Sequence, residues 1–511
     1  MKLCTARQMA EIDRRAIESF HIPSLTLMEN AGRALFEEMH AGAQTVAAVF
    51  IKAGKNGGDG LVAARLLLQC GARVRCFMVG EPRRMADDTA AMQRRFESAG
   101  GRVEVLTHLD DETLDYCYRC TVAVDAMFGT GLSRPLEGLD REAVELINAL
   151  PAKVFSADLP SGIAADTGRV MGAAVRAHCT VTFSYAKPAH FLEASAPYCA
   201  RVVTRAIGIP PEAAQEQALT LSAADWGEID AGIPVRDECG HKGTFGRVLA
   251  VCGARGYTGA PFFSMQAAVR SGAGLVYALL ADDIYPILAA KLAEPVLISA
   301  PSDRNGRLSV RAAGALSKAL RTADACLFGC GLGASEDVRA LLALVLRESR
   351  APVVIDADGI NVLARNIDIL KTAKAPVILT PHPGEYRRLR GALPEREALL
   401  QDAATFAQEF GVTLVLKGHR TITASPDGRA CINTTGNSGM AKGGSGDVLA
   451  GVVTALLAQG AQPYEAARAA VFVHGMAGDF CARDIGRYGM TPSDMLEALP
   501  AVFQKLEARR G

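Results

Sequence analysis

Short apolar runs alternate with amphipathic stretches over the first part of the chain. Unbroken apolar runs predict buried strands, and apolar residues spaced three and four apart predict helices. The predicted strands are 46–51, 74–79, 121–127 and 154–158, and the predicted helices are 60–70 and 141–150. This alternation predicts a parallel, doubly wound α/β sheet, which binds ligands beyond the carboxyl ends of its strands. Asn56, Asp125 and Asp158 fall at or just after predicted strand ends, so we expect a site there.

The alternation breaks near residues 209–219, where Pro, Ala, Glu and Gln dominate, and then restarts. We place a domain boundary there and predict two α/β domains of three layers each, residues 1–215 and 222–511. The predicted strands of the second domain are 247–253, 324–329, 353–356, 377–380 and 412–417. Helical patterns dominate from Asp447 onward. Because the halves carry different motifs, the pattern indicates two different enzymes in one chain rather than a duplication.

Composition and charge narrow the class of protein. The 511 residues are 49% hydrophobic and 22% charged, and 55 Lys and Arg residues balance 55 Asp and Glu residues. A neutral chain has no general attraction to nucleic acid or anionic membrane, so neither partner is expected. The N-terminus lacks an apolar signal core, and the longest apolar stretch, 448–458, is about half of the ~20 residues that span a bilayer. We therefore expect a cytoplasmic protein.

The 13 cysteines are scattered along the chain. Only Cys117 and Cys120 have chelating spacing, and the nine histidines are dispersed as well. This pattern is typical of reduced, mostly buried thiols in a cytosolic protein, with redox chemistry at the one pair as the alternative.

Polar loops follow the predicted strands of the first half. The stretch 53–60, AGKNGGDG, predicts a tight glycine turn whose N–H groups can meet a phosphate at a helix start, although a purely structural turn explains it equally well. The amide of Asn56, the carboxylate of Asp125 and the hydroxyl of Ser161 are hard oxygen ligands that suit a weakly Lewis-acidic cation. Asp158 then remains for proton transfer, whereas either aspartate alone can serve as a helix cap.

Three motifs of the first half occur in a set order. They are NGGDG at 56–60, VDAMFGTGLSRP at 124–135 and ADLPSGI at 157–163. Together they resemble the NAD(P)H-hydrate epimerase family over about residues 1–215. The resemblance implies a Rossmann-like domain that interconverts the R and S forms of NADHX and NADPHX, the hydrates of NADH and NADPH.

The same resemblance implies a set of site residues. The implied K⁺ ligands are Asn56, Asp125 and Ser161. The implied hydrate-binding positions are Lys55, Asn56, Gly57, Gly58, Asp59, Gly129, Thr130, Gly131, Leu132, Ser133, Arg134, Pro135 and Asp158. Lys55 stands where the family usually has a second Asn, and a lysine there can still reach a phosphate. We hypothesise that Asp158 moves the proton while the loops hold the pyrophosphate.

Four loops converge on the predicted strand ends of the second half. They are GCGLG at 329–333, PHPGE at 381–385, KGHRT at 417–421 and a glycine-rich loop at 433–447. Their lysine, hydroxyl and N–H groups suit nucleotide phosphates, and Asp447 suits a base, although strand-end turns favour Gly, His and Pro in any case. A helix N-terminus favours the ionised carboxylate and nearby phosphates favour the protonated one, so the sequence leaves the basicity of Asp447 open.

A GxGD loop on an α/β frame is similar to the ribokinase-like superfamily. Further motifs are HKGTFG at 241–246, GYTGAP at 256–261 and DADGIN at 356–361. With them, the second half most closely resembles the ADP- or ATP-dependent NAD(P)H-hydrate dehydratases, which implies Mg²⁺ with ADP or ATP and Asp447 as the base. The implied hydrate-binding positions are Ala260, Gly331, His382 and Asp447. The implied nucleotide-binding positions are Lys417, Gly418, His419, Arg420, Thr421 and Gly446.

The two resemblances together predict a bifunctional enzyme of metabolite repair. The first half supplies the S hydrate, and the second converts it to NAD(P)H and releases phosphate. The expected partners are NADHX, NADPHX and ADP or ATP, and we expect a homo-oligomer. One alternative is a vitamin-precursor kinase of the ribokinase-like superfamily, which would release a phosphorylated product. The other is a non-catalytic scaffold, against which the presence of Asp125, Asp158 and Ser161 counts.

Overall fold

The computed structural model describes residues 1–82 and 85–510. The chain divides into two compact units, residues 2–221 and the residues from 222 onward together with Met1. The irregular stretch near residues 209–219 precedes this division and contains a short 3₁₀ helix, Pro211–Gln217.

The first unit has a parallel sheet with helices on both faces. Its strands are β1 (Val46–Ile51), β2 (Arg73–Val79), β3 (Val103–Leu106), β4 (Val122–Ala126), β5 (Lys153–Ala157), β6 (Ala177–Phe183) and β7 (Cys199–Arg205). Its helices are α1 (Ala6–Glu18), α2 (Ser24–Met39), α3 (Lys55–Gln69), α4 (Asp87–Ser98), α5 (Asp111–Tyr118) and α6 (Gly138–Ala149). In the described residues the strand order is β3-β2-β1-β4-β5-β6-β7, and all of these neighbouring strands run parallel.

The hydrophobic core of the first unit lies on both sides of this sheet. Every residue of β1 is buried, which explains its continuous apolar run. Val49 and Phe50 are neighbours on β1, yet they belong to two different clusters because alternate side chains point to opposite faces. Leu61 of α3 packs in one cluster and Ile147 of α6 in the other. The predicted three-layer, doubly wound fold is confirmed.

The sequence interpretation of residues 53–60 as a turn is wrong. Helix α3 begins at Lys55, so the whole NGGDG motif at 56–60 lies in its first turns. The reason is close packing: a side chain at Gly57 would overlap the carbonyl oxygen of Lys52, and one at Gly58 would overlap the sulfur of Met28. These glycines let the start of α3 lie directly against neighbouring backbone and α2.

The second unit has a larger, mixed sheet. Its strands are β8 (Leu221–Ala223), β9 (Arg247–Val251), β10 (Leu275–Ala281), β11 (Val296–Ala300), β12 (Ala325–Phe328), β13 (Val353–Ile355), β14 (Val377–Leu379), β15 (Thr413–Leu416), β16 (Ile422–Ala424) and β17 (Ala430–Ile432). In the described residues the order is β11-β10-β9-β12-β13-β14-β15-β16-β17-β8. Strands β9 to β15 run parallel, and β16 and β17 continue the sheet antiparallel.

Helices flank this second sheet and dominate the C-terminal part, as the sequence predicts. They are α7 (Gly259–Arg270), α8 (Tyr285–Ala289), α9 (Ala313–Leu320), α10 (Glu336–Glu348), α11 (Asp358–Leu363), α12 (Pro383–Arg390), α13 (Leu399–Phe410), α14 (Ser445–Ala458), α15 (Pro463–Gly489) and α16 (Pro492–Arg510). The apolar stretch at 448–458 belongs to α14, which is buried along its length and packs closely on α7. Among the described residues, no helix is both long and apolar enough to cross a membrane.

The strand order of each sheet reverses at one point. In the first unit the reversal lies between β1 and β4, and in the second between β9 and β12. Ligands of open α/β sheets bind in the crevice outside the carboxyl ends of strands at such a point. Both sites described below lie beside these strand ends.

Candidate active sites

A cavity of about 490 Å³ opens in the first unit at the ends of β1 and β4. The predicted site residues that line it are Lys55, Asn56, Asp59, Gly129, Thr130, Gly131, Leu132 and Asp158. Gly129 lies between two of the polar groups, because a side chain there would come within 3.4 Å of Oδ1 of Asn56 and 3.5 Å of Oδ2 of Asp158. The structure therefore brings residues of all three predicted motifs to one cavity.

The remaining predicted residues of the first unit lie elsewhere. Gly57 and Gly58 are buried in the packing of α3, and Ser133, Arg134 and Pro135 are exposed. None of these five lines the cavity. Asp125 and Ser161 are completely buried and form a separate contact network.

Asp158 is held rigidly in the wall of the cavity. It follows β5 with a left-handed backbone, φ +61°, and its N–H donates to the carbonyl of Val181 at 2.8 Å. Its Oδ1 pairs with the ammonium of Lys187 and accepts a hydrogen bond from the hydroxyl of Thr182 at 3.0 Å. A non-glycine residue held at positive φ is strained, and such strain is found at functional sites.

Lys187 and His190 hold Asp158 in this position. The side chain of Lys187 is 1% exposed, so its charge is directed at Asp158 rather than at solvent. Nδ1 of His190 accepts from the N–H of Lys187 at 2.9 Å, which leaves Nε2–H to donate to the carbonyl of Asp158 at 2.8 Å. Burial lowers the pKa of His190 to about 4, so the ring is neutral at physiological pH.

Asp125 and Ser161 form the buried network behind the cavity. Oδ2 of Asp125 accepts from the hydroxyl of Ser156 and the N–H of Ser161, both at 2.8 Å. The Ser161 hydroxyl lies 2.5 Å from Oδ1 of Asp125 and accepts from the N–H of Phe128 at 2.9 Å. Burial raises the pKa of Asp125, and among the described residues no cationic side chain pairs with it. The side-chain nitrogen of Asn56 is buried and makes no hydrogen bond.

The cavity also contains charged residues that the sequence reasoning missed. Lys187 follows β6 in an otherwise ordinary stretch, and no local signal shows that it turns inward. Asp13 lies on α1, where it reads as one more polar position of an amphipathic helix. Burial raises the pKa of Asp13 to about 6, and burial with the Asp158 and Asp13 charges raises the pKa of Asp59 well above its usual range.

The second site forms around the first turn of α14. Ligand atoms of Cys330, Asp356 and Asp447 all lie within 4.8 Å of one another. Nζ of Lys417 pairs with Oδ1 of Asp356 at 2.9 Å, and the hydroxyl of Thr380 donates to the same oxygen at 2.7 Å. The Cys330 thiol donates to Oδ2 of Asp356 over 3.7 Å. Two carboxylates, a lysine and a thiol thus meet where β12, β13 and β15 end.

The electrostatics of this cluster decide the basicity of Asp447. Burial raises its pKa to about 6 and the neighbouring Asp356 carboxylate adds to the rise, while Lys417 opposes it. Burial and the Asp356 charge act against the stabilisation that a helix N-terminus gives to a charged carboxylate. A carboxylate with a pKa near neutrality is a better base than an ordinary aspartate.

Two glycines of the second unit allow close packing near this cluster. A side chain at Gly446 would come within 3.3 Å of Nζ of Lys417. Gly331, at φ +67°, lies against α7, where a side chain would come within 3.0 Å of Cβ of Ala260. The structure therefore brings Gly446 to Lys417, and Gly331 to Ala260.

His382 and Glu385 form the N-terminal cap of α12. Nδ1 of His382 accepts from the N–H of Gly384 at 3.0 Å, and Oε2 of Glu385 accepts from the N–H of His382 at 2.8 Å. Half of the His382 side chain is exposed, whereas Glu385 is buried. Burial raises the pKa of Glu385 to about 7, and Lys417 opposes the rise. Burial lowers the pKa of His382, and the charge of Lys417 lowers it further.

The loop 417–421 divides into parts with different roles. Lys417 points into the carboxylate cluster. Thr421 is 8% exposed and its hydroxyl donates to the carbonyl of Gly418 at 3.1 Å, closing the turn. Arg420 donates to the carbonyl of Thr434 at 3.1 Å, and His419 is exposed. Of this predicted nucleotide-binding set, the structure brings only Lys417 into the cluster of charged side chains.

The folds and sites define a two-unit α/β enzyme, with a Rossmann-like sheet carrying one carboxylate site and a larger sheet carrying a second one at a helix start. The sequence model of the NAD(P)H-hydrate dehydratase family matches residues 248–501, and the one described as the YjeF-related protein N-terminus matches residues 24–189.

Similar proteins span both units. The bifunctional NAD(P)H-hydrate repair enzyme Nnr of Moorella thermoacetica is 39% identical over 519 residues, covering 99% of this chain and 97% of that protein. The enzyme of the same description from Thermofilum pendens is 36% identical, with 99% and 97% covered. A crystal structure of a ribokinase-like superfamily protein from Enterococcus faecalis is 30% identical, with a TM-score of 0.50, and covers 56% of this chain and 96% of that chain.

The chain belongs to the family of bifunctional NAD(P)H-hydrate repair enzymes. The function predicted from the sequence, epimerisation of the R and S hydrates and nucleotide-dependent dehydration of the S hydrate, is confirmed at this level. The ribokinase-like character of the second unit is confirmed as well.

Proposed function

We propose that the cavity of the first unit epimerises NADHX and NADPHX, and that the cluster at α14 dehydrates the S form with ADP or ATP. The assignment of dehydration to the second unit rests on the position of Asp447. This residue lies in the first turn of α14 and in one cluster with Asp356, which forms an ion pair with Lys417. Such a site joins a base, a cation for phosphate and a glycine-rich helix start, which are the parts that phosphoryl transfer needs.

The dehydration follows from the poor leaving ability of hydroxide. Asp447 takes the proton of the C6 hydroxyl while the hydroxyl oxygen attacks the terminal phosphate of the nucleotide. Backbone N–H groups at the start of α14 and the ammonium of Lys417 stabilise the transferring group. The ring nitrogen then expels phosphate, and loss of the C5 proton restores the dihydronicotinamide. The other products are inorganic phosphate and the nucleotide shortened by one phosphate, which leaves when the terminal phosphate is attacked.

Mg²⁺ fits this site as a companion of the nucleotide. Oxygens of Asp356 and of the phosphates are the hard ligands that such an ion takes, whereas the Cys330 thiol is a poor one. When bound, the ion would neutralise charge on the phosphates. Lys417, which pairs with Asp356, keeps the carboxylate oriented toward Asp447.

Epimerisation in the first unit uses the nitrogen beside the C6 centre. The nitrogen lone pair helps to break the C6–O bond and leaves a planar carbon. Water can then attack this carbon from either face. Asp158, held by Lys187 and Thr182, moves the proton at the hydroxyl oxygen. The loop that begins at Gly129 and the start of α3 border the cavity and offer N–H groups to the pyrophosphate.

A potassium ion fits the buried network beside this cavity. Asp125 is a fully buried carboxylate without a cationic partner in the described chain, and an uncompensated buried charge is costly. The carboxylate of Asp125, the hydroxyl of Ser161 and the side-chain carbonyl of Asn56 offer the hard oxygens that a monovalent cation takes. The ion would supply the missing charge and order the loop between Asp125 and Gly129.

The test uses chemically prepared hydrates and the whole chain. Purified S hydrate with ADP or ATP should recover the absorbance of reduced nicotinamide and release one phosphate per turnover. Asp447→Asn should bind nucleotide but stop dehydration, and Asp158→Asn should stop conversion of R to S while dehydration of S continues. No recovery from the S hydrate with either nucleotide, or a stable phosphorylated product, would refute the proposal. A cytoplasmic location and a homo-oligomeric state stay predictions.

A further inference from the structure

Helix α1 contributes one stripe of side chains to the cavity of the first unit. Met9, Asp13 and Ile17 are spaced four residues apart on α1, so they share a face, and all three line the cavity. Of these three only Asp13 titrates. No hydrogen bond or ion pair joins its side chain to another residue in the part of the chain that the structure describes. A carboxyl group placed between two apolar residues without a partner is costly, and such costs are found where chemistry needs the group.

Epimerisation at C6 requires chemistry on both faces of the ring. The hydroxyl of the R hydrate leaves from one face, and the hydroxyl of the S hydrate must arrive on the other. A carboxyl group fixed on one side can assist departure, but it cannot also take the proton of a water that attacks from the far side. Asp158, held by Lys187 and Thr182, is fixed in this way. A second proton-transfer group is therefore needed.

We propose that Asp13 is this second group and acts on the ring face opposite to the face served by Asp158. The inference rests on the epimerisation proposed above. In one direction, a protonated carboxyl group donates its proton to the C6 hydroxyl, the C6–O bond breaks, and water leaves as the ring nitrogen forms a C=N bond. A second water then adds to C6 from the other face and gives its proton to the other carboxylate. One water leaves, one enters, and one proton moves between the two carboxyl groups.

The surroundings of Asp13 suit this exchange. The titratable groups that act on it are Lys55 and Asp59 of α3, Asp158 after β5, Lys187 after β6 and Cys4 before α1. Burial raises the pKa of Asp13 to about 6, while Lys187 and Lys55 oppose the rise. A group with a pKa near neutrality can both give and take a proton at working pH, which acid–base catalysis requires.

Asp59 is the competing candidate, because it also lines the cavity. Burial raises its pKa well above the usual range of an aspartate, and the charges of Asp158 and Asp13 raise it further. That environment favours the protonated form, which can donate a hydrogen bond but accepts the proton of an attacking water less readily. Asp13 therefore fits the cycling role better.

The experiment compares Asp13→Asn, Asp13→Glu and wild type on purified R hydrate, with the epimers separated by chromatography across a pH series. For Asp13→Asn we expect kcat/KM for epimerisation to fall by about 100-fold or more. The limb of the pH–rate profile near the pKa of Asp13 should disappear. Asp13→Glu should restore part of the rate and the limb. The same Asp13→Asn preparation should dehydrate purified S hydrate at the wild-type rate. Glu18→Gln, on the exposed side of the same helix, is the matched control and should epimerise normally.

Each contrary outcome has its own meaning. A wild-type rate and an unchanged pH profile in Asp13→Asn would overturn the inference alone, and a loss confined to Asp59→Asn would move the role to Asp59. A reduced rate with an unchanged profile and no rescue by Asp13→Glu would also overturn it, because that is the behaviour of a structural residue. Failure of the wild-type chain to epimerise would refute the proposed function first, and the inference with it.

Discussion

Nζ of Lys417 lies 2.9 Å from Oδ1 of Asp356, in the cluster that also holds Asp447. Lys417 follows β15 and Asp356 follows β13, so two parallel strands deliver the opposite charges to one edge of the sheet. Lys417 lowers the pKa of Asp447, whereas burial and Asp356 raise it. The pair therefore sets the pH at which the proposed base is ionised.

Replacing Lys417 should shift the pH dependence of dehydration. Lys417→Met removes the cation that lowers the pKa of Asp447, so that pKa rises. The acid limb of kcat should then move to higher pH, and the rate on its plateau should fall about 100-fold because the transferring phosphate loses a partner. Lys417→Arg keeps the charge and should leave the limb close to the wild-type position. The measurement is the recovery of reduced nicotinamide from S hydrate at saturating nucleotide, and a limb that stays in place in Lys417→Met would contradict the proposed electrostatics.

Removing the charge of Asp447 should stabilise the fold. The pKa of Asp447 is about 6 in the folded chain against a usual value of 3.8, so folding favours its protonated form. The charged form therefore costs stability, and the cost grows as pH rises through this interval and is complete above pH 6. Asp447→Asn should gain about 1–3 kcal/mol at pH 7.5, and the gain should vanish below about pH 4. Calorimetry of the second unit's transition at the two pH values measures this, and an equal gain at both would exclude ionisation as its cause.

Breaking the buried ion pair of the first unit should cost both stability and epimerisation. Lys187 is almost fully buried, so Lys187→Met leaves the Asp158 carboxylate without its partner. We expect a loss of about 3 kcal/mol and a strongly reduced rate on R hydrate, while dehydration of S hydrate is unchanged. Adding Asp158→Asn to Lys187→Met should recover part of the stability but none of the epimerisation. Urea unfolding followed with both activities tests this, and a double variant no more stable than Lys187→Met would contradict the pairing.

Epimerisation should depend on potassium held by the proposed ligand set of the first unit. Dehydration of the S hydrate should not depend on those residues. Ser161→Ala removes a hydroxyl from the proposed ligand set, so a higher KCl concentration should be needed for half-maximal epimerisation. The reaction is followed against KCl at constant ionic strength, with lithium chloride as the balancing salt. Dehydration of S hydrate by the same variant is the internal control. A KCl requirement equal to that of wild type would remove Ser161 from the site.

The packing role of Gly57 can be separated from ligand binding. A side chain at Gly57 would overlap the carbonyl of Lys52, whereas one at Gly54, the residue before α3, meets nothing within 4 Å. Gly57→Ala should therefore destabilise the first unit by about 1–3 kcal/mol, and Gly54→Ala by less than about 0.5 kcal/mol. Thermal unfolding of the two matched variants gives the comparison. Equal melting temperatures would mean that α3 can shift to accept the methyl group.

The strands and the helix starts of the fold were predictable from the sequence to different degrees. Strand β1 was predicted with its observed bounds because a strand buried on both faces is apolar throughout. Helix α3 was placed too late because Gly57 and Gly58 read locally as a turn, and only their distant neighbours Lys52 and Met28 show why glycine is needed inside a helix. Local propensity carries no information about such packing.

The same limit applies to the candidate sites. Asp447 ends a glycine-rich loop and Asp158 precedes a Pro-Ser-Gly stretch, and both neighbourhoods can be recognised in a sequence. Lys187 and Asp13 carry no comparable signal, since a lysine after a strand and an aspartate on an amphipathic helix are ordinarily solvated. Their burial follows from long-range packing, which brings α1, α3 and the ends of β5 and β6 around one cavity.

The position of α1 bears on how the first unit should be produced as a separate fragment. A fragment cut to the family match, residues 24–189, would omit α1 and with it one wall of the cavity. It would also omit Ile207, which lines the cavity beyond the other end of that match. Poor binding or a lack of activity in such a fragment would thus reflect the missing cavity residues rather than a property of the whole enzyme. Fragments should begin ahead of α1 and extend beyond Ile207.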